Sequence, residues 1–137
     1  MRKRSRAREL ALQCLYQLDL RGSEAEVGID QFITVGDGDP AVREFARLLV
    51  QGCWEHRADV DEKIAAVAQN WHLNRMAAID RNILRAATYE LLFLPDVPAK
   101  VSINEAIDLA KKYSTAESGA FVNGILDKIR ANYAASK

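Results

Sequence analysis

Apolar positions recur every three to four residues along almost the whole chain, and the strict alternation of a half-buried strand is absent. The pattern predicts an all-α fold. The first helix runs from about Ser5 to Leu20 and stops at Arg21-Gly22, a C-terminal signal. A looser, acidic stretch follows, in which "IDQFI" is long enough for a turn or two of helix. "GDGDP" is a strong break, and Asp39 as N-cap with Pro40 behind it opens a helix through "AVREFARLLVQGCWEHR". Asp59 can cap "VDEKIAAVAQNW", and "HLNRM" is a joint. "AAIDRNILRAATYELLFL" is the next helix, closed by "PDVP". Ser102 and Glu105 have capping-box spacing ahead of "INEAIDLAKKY", and Ser114 and Glu117 repeat it before a last helix from about Glu117 to Tyr133. The expected architecture is a compact bundle of about seven helices in two packed helical subdomains, one domain over residues 1–137.

Laid out at 100° per residue, the first helix gathers Ala7, Leu10, Ala11, Cys14, Leu15 and Leu18 into one core-facing sector. Leu12 and Tyr16 fall on the far side, four apart and adjoining. Either this helix is buried all round, or the pair is an exposed partner-binding patch. In the last helix Val122, Ile125, Leu126, Ile129 and Tyr133 form the stripe. Phe121 lies about 100° from its centre, in the first turn. Flank packing is one reading. The other is a platform for a splayed base of single-stranded nucleic acid, near N–H groups that favour anions.

Charge sharpens the picture. The 19 basic and 19 acidic residues cancel, but unevenly. Five of the first ten residues are basic (Arg2, Lys3, Arg4, Arg6, Arg8) and one is acidic, Glu9, so the body is left with 14 basic and 18 acidic residues. Residues 1–8 read as a basic arm. It is either a solvated tail or, because it runs straight into an amphipathic helix, a phosphate-binding element. Arginine forks favour nucleic acid over a membrane surface.

Composition excludes other classes. Apolar residues are 49% of the 137, too many for disorder, and no apolar run approaches the roughly 20 residues of a membrane span. A cytoplasmic, soluble protein is expected. Cys14 and Cys53 read as core thiols, since two cysteines make no disulfide framework or zinc knuckle. His56 and His72 have no triad-like or metal-like company. There is no phosphate loop or dinucleotide fingerprint, and Glu90 near an apolar sector suits a buried pair with an arginine. No catalytic residue, cofactor or metal is expected.

The arm with "RARELALQCLYQLD", then "DRNILRAATYELLFLPDVPAKVSINEAIDLAKKYS", then "FVNGILDKI", resembles the bacterial transcription antitermination factor NusB family, most tightly over residues 79–129. The resemblance implies a non-enzymatic RNA-binding role in ribosomal RNA transcription. The factor would pair with the small-subunit ribosomal protein NusE, bind boxA RNA and join an RNA polymerase elongation complex. On this resemblance Arg2, Lys3, Arg4, Arg6 and Arg8 occupy the RNA-binding arm. Phe121 matches an RNA-contacting Phe, Glu117 and Ser118 fall where RNA approaches, and Arg85 joins that set. Tyr16 and Asp80 match NusE-interface positions. Gly119 and Ala120 depart from the basic or polar residues expected there. The competing function is a homodimeric protein-interaction module with a self-complementary Leu12/Tyr16 surface that masks the arm.

Overall fold

The computed structural model describes residues 2–68 and 72–137. Among them are seven α-helices and no strand: α1 (Lys3–Arg21), α2 (Ile29–Gly36), α3 (Pro40–Glu55), α4 (Arg57–Val67), α5 (Ala78–Phe93), α6 (Ala99–Tyr113) and α7 (Ala116–Tyr133). Short 3-10 segments, Gly22–Gly28 and Leu73–Arg75, join α1 to α2 and lead into α5.

Several local signals act as the sequence pattern says. Gly22 ends α1 at φ 73°, a conformation costly for a residue with a Cβ, and its N–H bonds the Leu18 carbonyl. The Asp39 carboxylate accepts the Ala41 N–H at 2.9 Å and caps α3. Other helix starts are shifted. The α4 helix begins at Arg57 with His56 as its cap residue, so Asp59 lies in its first turn and pairs with Lys63 instead of capping. The expected extension of that helix over Gln69–Trp71 lies outside the described residues. The α6 helix begins at Ala99, directly after Pro98, which leaves Ser102 and Glu105 inside the helix. The last capping box is Thr115 with Ser118, one residue beyond the expected pair.

α1 is the central element, packed on α3 and α5 and touched by α2 and α6. Its expected sector is buried, and so is Leu12 at 1% exposure. The helix is therefore enclosed on almost every side, which corrects the reading of Leu12 as a surface contact. In α7, Val122, Ile125, Leu126 and Ile129 are buried, but Tyr133 is 41% exposed, with Lys63 of α4 over its ring. Gly52 lets α3 approach Tyr89 of α5, since a Cβ there would fall 2.0 Å from the Tyr89 hydroxyl.

A buried ion pair fixes the relation between the helical groups. Arg8 is 5% exposed and Glu90 2%. The Arg8 Nη2 donates to Glu90 Oε1 at 2.8 Å and Nε to Oε2 at 2.9 Å. Ser102 of α6 donates to the same carboxylate at 2.9 Å. Glu105 approaches Arg8 at 3.6 Å and accepts from Ser5 at 2.6 Å. The capping-box spacing in α6 thus serves this network. Farther along, Asp19 meets Arg81 at 2.6 Å, so α1 and α5 run antiparallel. Ser5–Glu105 and Glu9–Lys112 contacts make α1 and α6 parallel.

Removing one member of a buried pair strands the other charge. Glu90→Gln and Arg8→Met should each lower unfolding free energy by about 3–5 kcal/mol in urea. Unfolding midpoints equal to that of the parent would show that the pair does not hold α1 on α5.

Candidate nucleic-acid interface

The basic arm is not a tail: from Lys3 onward it is the first turns of α1. Helical geometry then sends its cations in different directions. Arg8 points inward to Glu90 and is unavailable at the surface, which corrects the expectation that all five cations face a ligand. Arg2 is exposed. Arg4 lies over the Phe45 ring, 4.4 Å from its centroid. Arg6 is bidentate with Asp37, at 2.7–3.0 Å. Lys3 pairs with Asp39 at 3.2 Å.

A second feature lies where α7 and α5 begin. Arg75, Met76, Ala77, Asp80, Thr115, Glu117, Ser118 and Phe121 line an open cleft of about 230 Å³. Arg81 builds one wall by donating to the carbonyls of Leu73 and Met76 at 2.9 and 3.2 Å. Hydroxyls build the floor: Ser118 Oγ lies 2.9 Å from Ser114 Oγ and 3.0 Å from Thr115 Oγ1, and donates to Asp80 Oδ2 at 3.1 Å. The other Asp80 oxygen, Oδ1, is buried with no hydrogen-bond partner among the described residues. Phe121 is half-buried, packed on the core's edge, and forms a cleft wall. Glu117 is exposed and Ser118 buried.

The structure brings together Phe121, Glu117, Ser118 and Asp80. Asp80 thus sits on this cleft beside Phe121, and Tyr16 is not part of its lining. Arg85 does not join them. Its side chain is 14% exposed, with Nε and Nη2 on Asp61 at 2.8 and 2.9 Å and Nη1 on Asp19 at 3.2 Å. Burial alone would push this guanidinium down, but Asp61 and Asp19 outweigh it and hold it raised. Arg85 is a structural cation, which corrects its assignment to the RNA set.

Sequence reading passed over several residues. Arg75 joins the cleft from a 3-10 turn that has no periodic signal. Lys111 and Lys112 close α6 as the usual basic last turn. Lys111 lies across Gly119, 3.5 Å from where a Cβ would stand. Tyr16 is half-buried, and its exposed apolar neighbour is Leu20, 60% exposed and one turn on, in place of the buried Leu12.

Glu9 ties α1 to the end of α6, which leads into the helix that carries Phe121. Lys3 and Glu9 are six residues apart on α1, about 9 Å. Glu9 meets both Lys112, at 2.9 Å, and the Tyr113 hydroxyl. Two residues after Tyr113, Thr115 caps the helix that carries Phe121. Elsewhere both thiols are buried, Cys14 pushed up to about 11 and Cys53 to about 12 by burial. Among the described residues no cluster of three or more His, Cys, Asp or Glu could hold a metal, and no helix is long and apolar enough to cross a membrane.

The fold and these two features define an all-helical protein with a cationic helix start and an aromatic-walled cleft on one flank. The chain belongs to the NusB family, whose model matches residues 5–131. It is 53% identical over 131 residues to the transcription antitermination protein NusB of Trichlorobacter lovleyi, covering 93% of this chain and 90% of that one. The T. maritima NusB structure superposes with a TM-score of 0.85 at 40% identity, covering 96% of this chain and 92% of that one. A chain in the crystal structure of antitermination factors NusB and NusE in complex with dsRNA gives 0.86 at 30% identity, covering 97% and 99%.

Arg85→Gln leaves Asp19 and Asp61 short of a cation and should cost on the order of 2 kcal/mol at neutral pH. Burial alone would raise the Asp19 carboxyl, but Arg81, Asn82 and Arg85 hold it below its ordinary 3.8. Its contribution is complete above that value and is lost as pH falls through the depressed one. The gap between parent and variant in urea unfolding should therefore shrink on acidification below 3.8. A variant with parental stability but impaired RNA binding would return Arg85 to the interface.

Proposed function

We propose that this protein is an RNA-binding transcription antitermination factor that pairs with the small-subunit ribosomal protein NusE. Together they bind boxA RNA during ribosomal RNA transcription, within an RNA polymerase elongation complex in the cytoplasm. The observation that carries this reading is the half-buried Phe121 walling an open cleft at the start of α7, in a chain whose first helix begins with the exposed cations Arg2 and Arg4. A single strand bound by both features would meet guanidinium groups at the start of α1, Lys111 and Lys112 at the end of α6, and an aromatic face at the start of α7. Phosphates answer the first two and an unstacked base answers the third. Lys111, resting over Gly119, returns a positive charge to the turn where the sequence itself has only small residues. The family membership and the NusB–NusE–dsRNA neighbour support the same reading. The protein acts by holding its partners together and performs no chemistry of its own.

The partner surface is assigned to Tyr16 and Leu20, an apolar pair on the outer side of α1, in place of Leu12. An aromatic anchor beside an exposed leucine suits a protein partner better than a nucleic acid. Asp80 is assigned to RNA, because it lines the cleft beside Phe121.

Base stacking is worth about 1–3 kcal/mol. Phe121→Asp should therefore weaken binding of a boxA-type single strand by roughly ten- to a hundredfold, with the urea midpoint measured alongside to establish folding. A folded variant that binds like the parent would remove the stacking role. Tyr16→Asp should abolish co-elution with NusE on a sizing column while RNA binding by the isolated chain is retained. Unchanged co-elution would disprove the partner surface. A persistent dimer by light scattering that never binds RNA would favour the homodimeric module instead.

A further inference from the structure

The "GDGDP" break does more than separate α2 from α3. Asp37 and Asp39 stand directly against the arm. The Arg6 guanidinium sets Nε and Nη2 on the Asp37 carboxylate at 2.7–3.0 Å, the fork geometry that guanidinium also uses for phosphate. Lys3 is drawn to Asp39 in the same way. The two sides of each pair are unequally held. Asp37 accepts the Asp39 N–H at 2.9 Å, and its own carbonyl and that of Thr34 accept from Arg43. Asp39 is fixed as the cap of α3. The acid side chains are 15% and 24% exposed, and their cationic partners, Arg6 and Lys3, 38% and 64%. The acids are thus anchored by the backbone, and the cations reach them on long stems.

We infer that Asp37, seconded by Asp39, is an internal competitor for the RNA backbone and so determines how tightly the arm grips a strand. This inference rests on the arm being an RNA-binding element. Of the five arm cations, Arg8 is buried against Glu90, and Arg6 and Lys3 are neutralised by the loop. Arg2 and Arg4 form no ion pair among the described residues. A phosphate that takes Arg6 must displace a carboxylate already in the fork, and the displaced Asp37 then faces the strand with its own negative charge. Binding through phosphates alone is therefore weak. A strand that also gains the Phe121 cleft has the surplus needed to displace the acid.

The test is a titration of a labelled short single-stranded RNA with parent protein, Asp37→Asn, Asp39→Asn and Asp127→Asn, across a salt series. Asparagine at 37 retains an oxygen for the Asp39 N–H and asparagine at 39 retains the cap, so the loop persists, and urea midpoints check this. Asp127, exposed on α7, controls for net charge alone. Asp37→Asn should bind roughly two- to fivefold more tightly at low salt, the scale of an exposed ion pair. Its slope of log affinity against log salt should be steeper by about 0.7, one further phosphate contact on a single strand. Asp39→Asn should act in the same direction and more weakly. Unchanged affinity and slope for Asp37→Asn would overturn the inference, and so would a gain of the same size for Asp127→Asn. Weaker binding would also overturn it, by showing that Asp37 positions Arg6 for the strand. If neither parent nor Asp37→Asn binds RNA at any salt, the proposed function itself fails, and the competitor with it.

Discussion

The Arg8–Glu90 pair is the constraint from which the rest of the molecule follows. Two opposite charges are taken out of water at the meeting of α1, α5 and α6, and such a pair is tolerated only when nearly all its polar atoms are satisfied. Here Ser102 completes the carboxylate, and Glu105 and the Phe45 face attend the guanidinium. The pair can form in only one register, because each helix supplies its member at a single depth. That register makes α1 antiparallel to α5 and parallel to α6. It thereby sets the end of α1 beside the start of α5, where Ser118 at the start of α7 meets Asp80. A hydrophobic pair of similar volume could hold the helices with equal strength, but it would not specify their relative slide so narrowly.

The arm shows how helix geometry divides one sequence feature among several tasks. Successive residues rotate by 100°, so a run of cations cannot share one face. Arg8 enters the core, Arg6 and Lys3 lean on the α2–α3 loop, Arg4 covers Phe45, and Arg2 meets solvent. Asp37 holds the Arg6 guanidinium raised, and is itself held below the carboxylate range by the Asp39 N–H and by Arg6. The charge visible in the sequence is therefore larger than the charge the surface presents.

The cleft beside Phe121 is built by capping chemistry as much as by packing. Thr115 and Ser118 close the start of α7, and Ser118 then reaches Asp80 on α5. The hydrogen bonds that terminate one helix thus fix the side chain at the start of another. Arg81 does the equivalent on the far wall by holding Leu73 of the 3-10 turn that carries Arg75, and Met76 just after it.

The sequence by itself determined the helices, their approximate ends, the buried stripes of α1 and α7, the burial of Glu90 and the marginal position of Phe121. These follow from local periodicity and from caps such as Asp39 and Gly22, which act within a few residues. It left open whether Leu12 or Leu20 accompanies Tyr16 at the surface, because a helical wheel does not say how many neighbours enclose a helix. It misassigned Ser102 and Glu105, whose spacing is the same for a cap and for a polar cluster inside a helix. Only the tertiary structure decided that Arg8 and Arg85 are internal and that Asp80 adjoins Phe121. The same holds for Asp37, which lies against Arg6. Each of those facts is a meeting of residues 24 to 82 positions apart in the chain, and no pattern confined to one helix records which distant charge its side chain will meet.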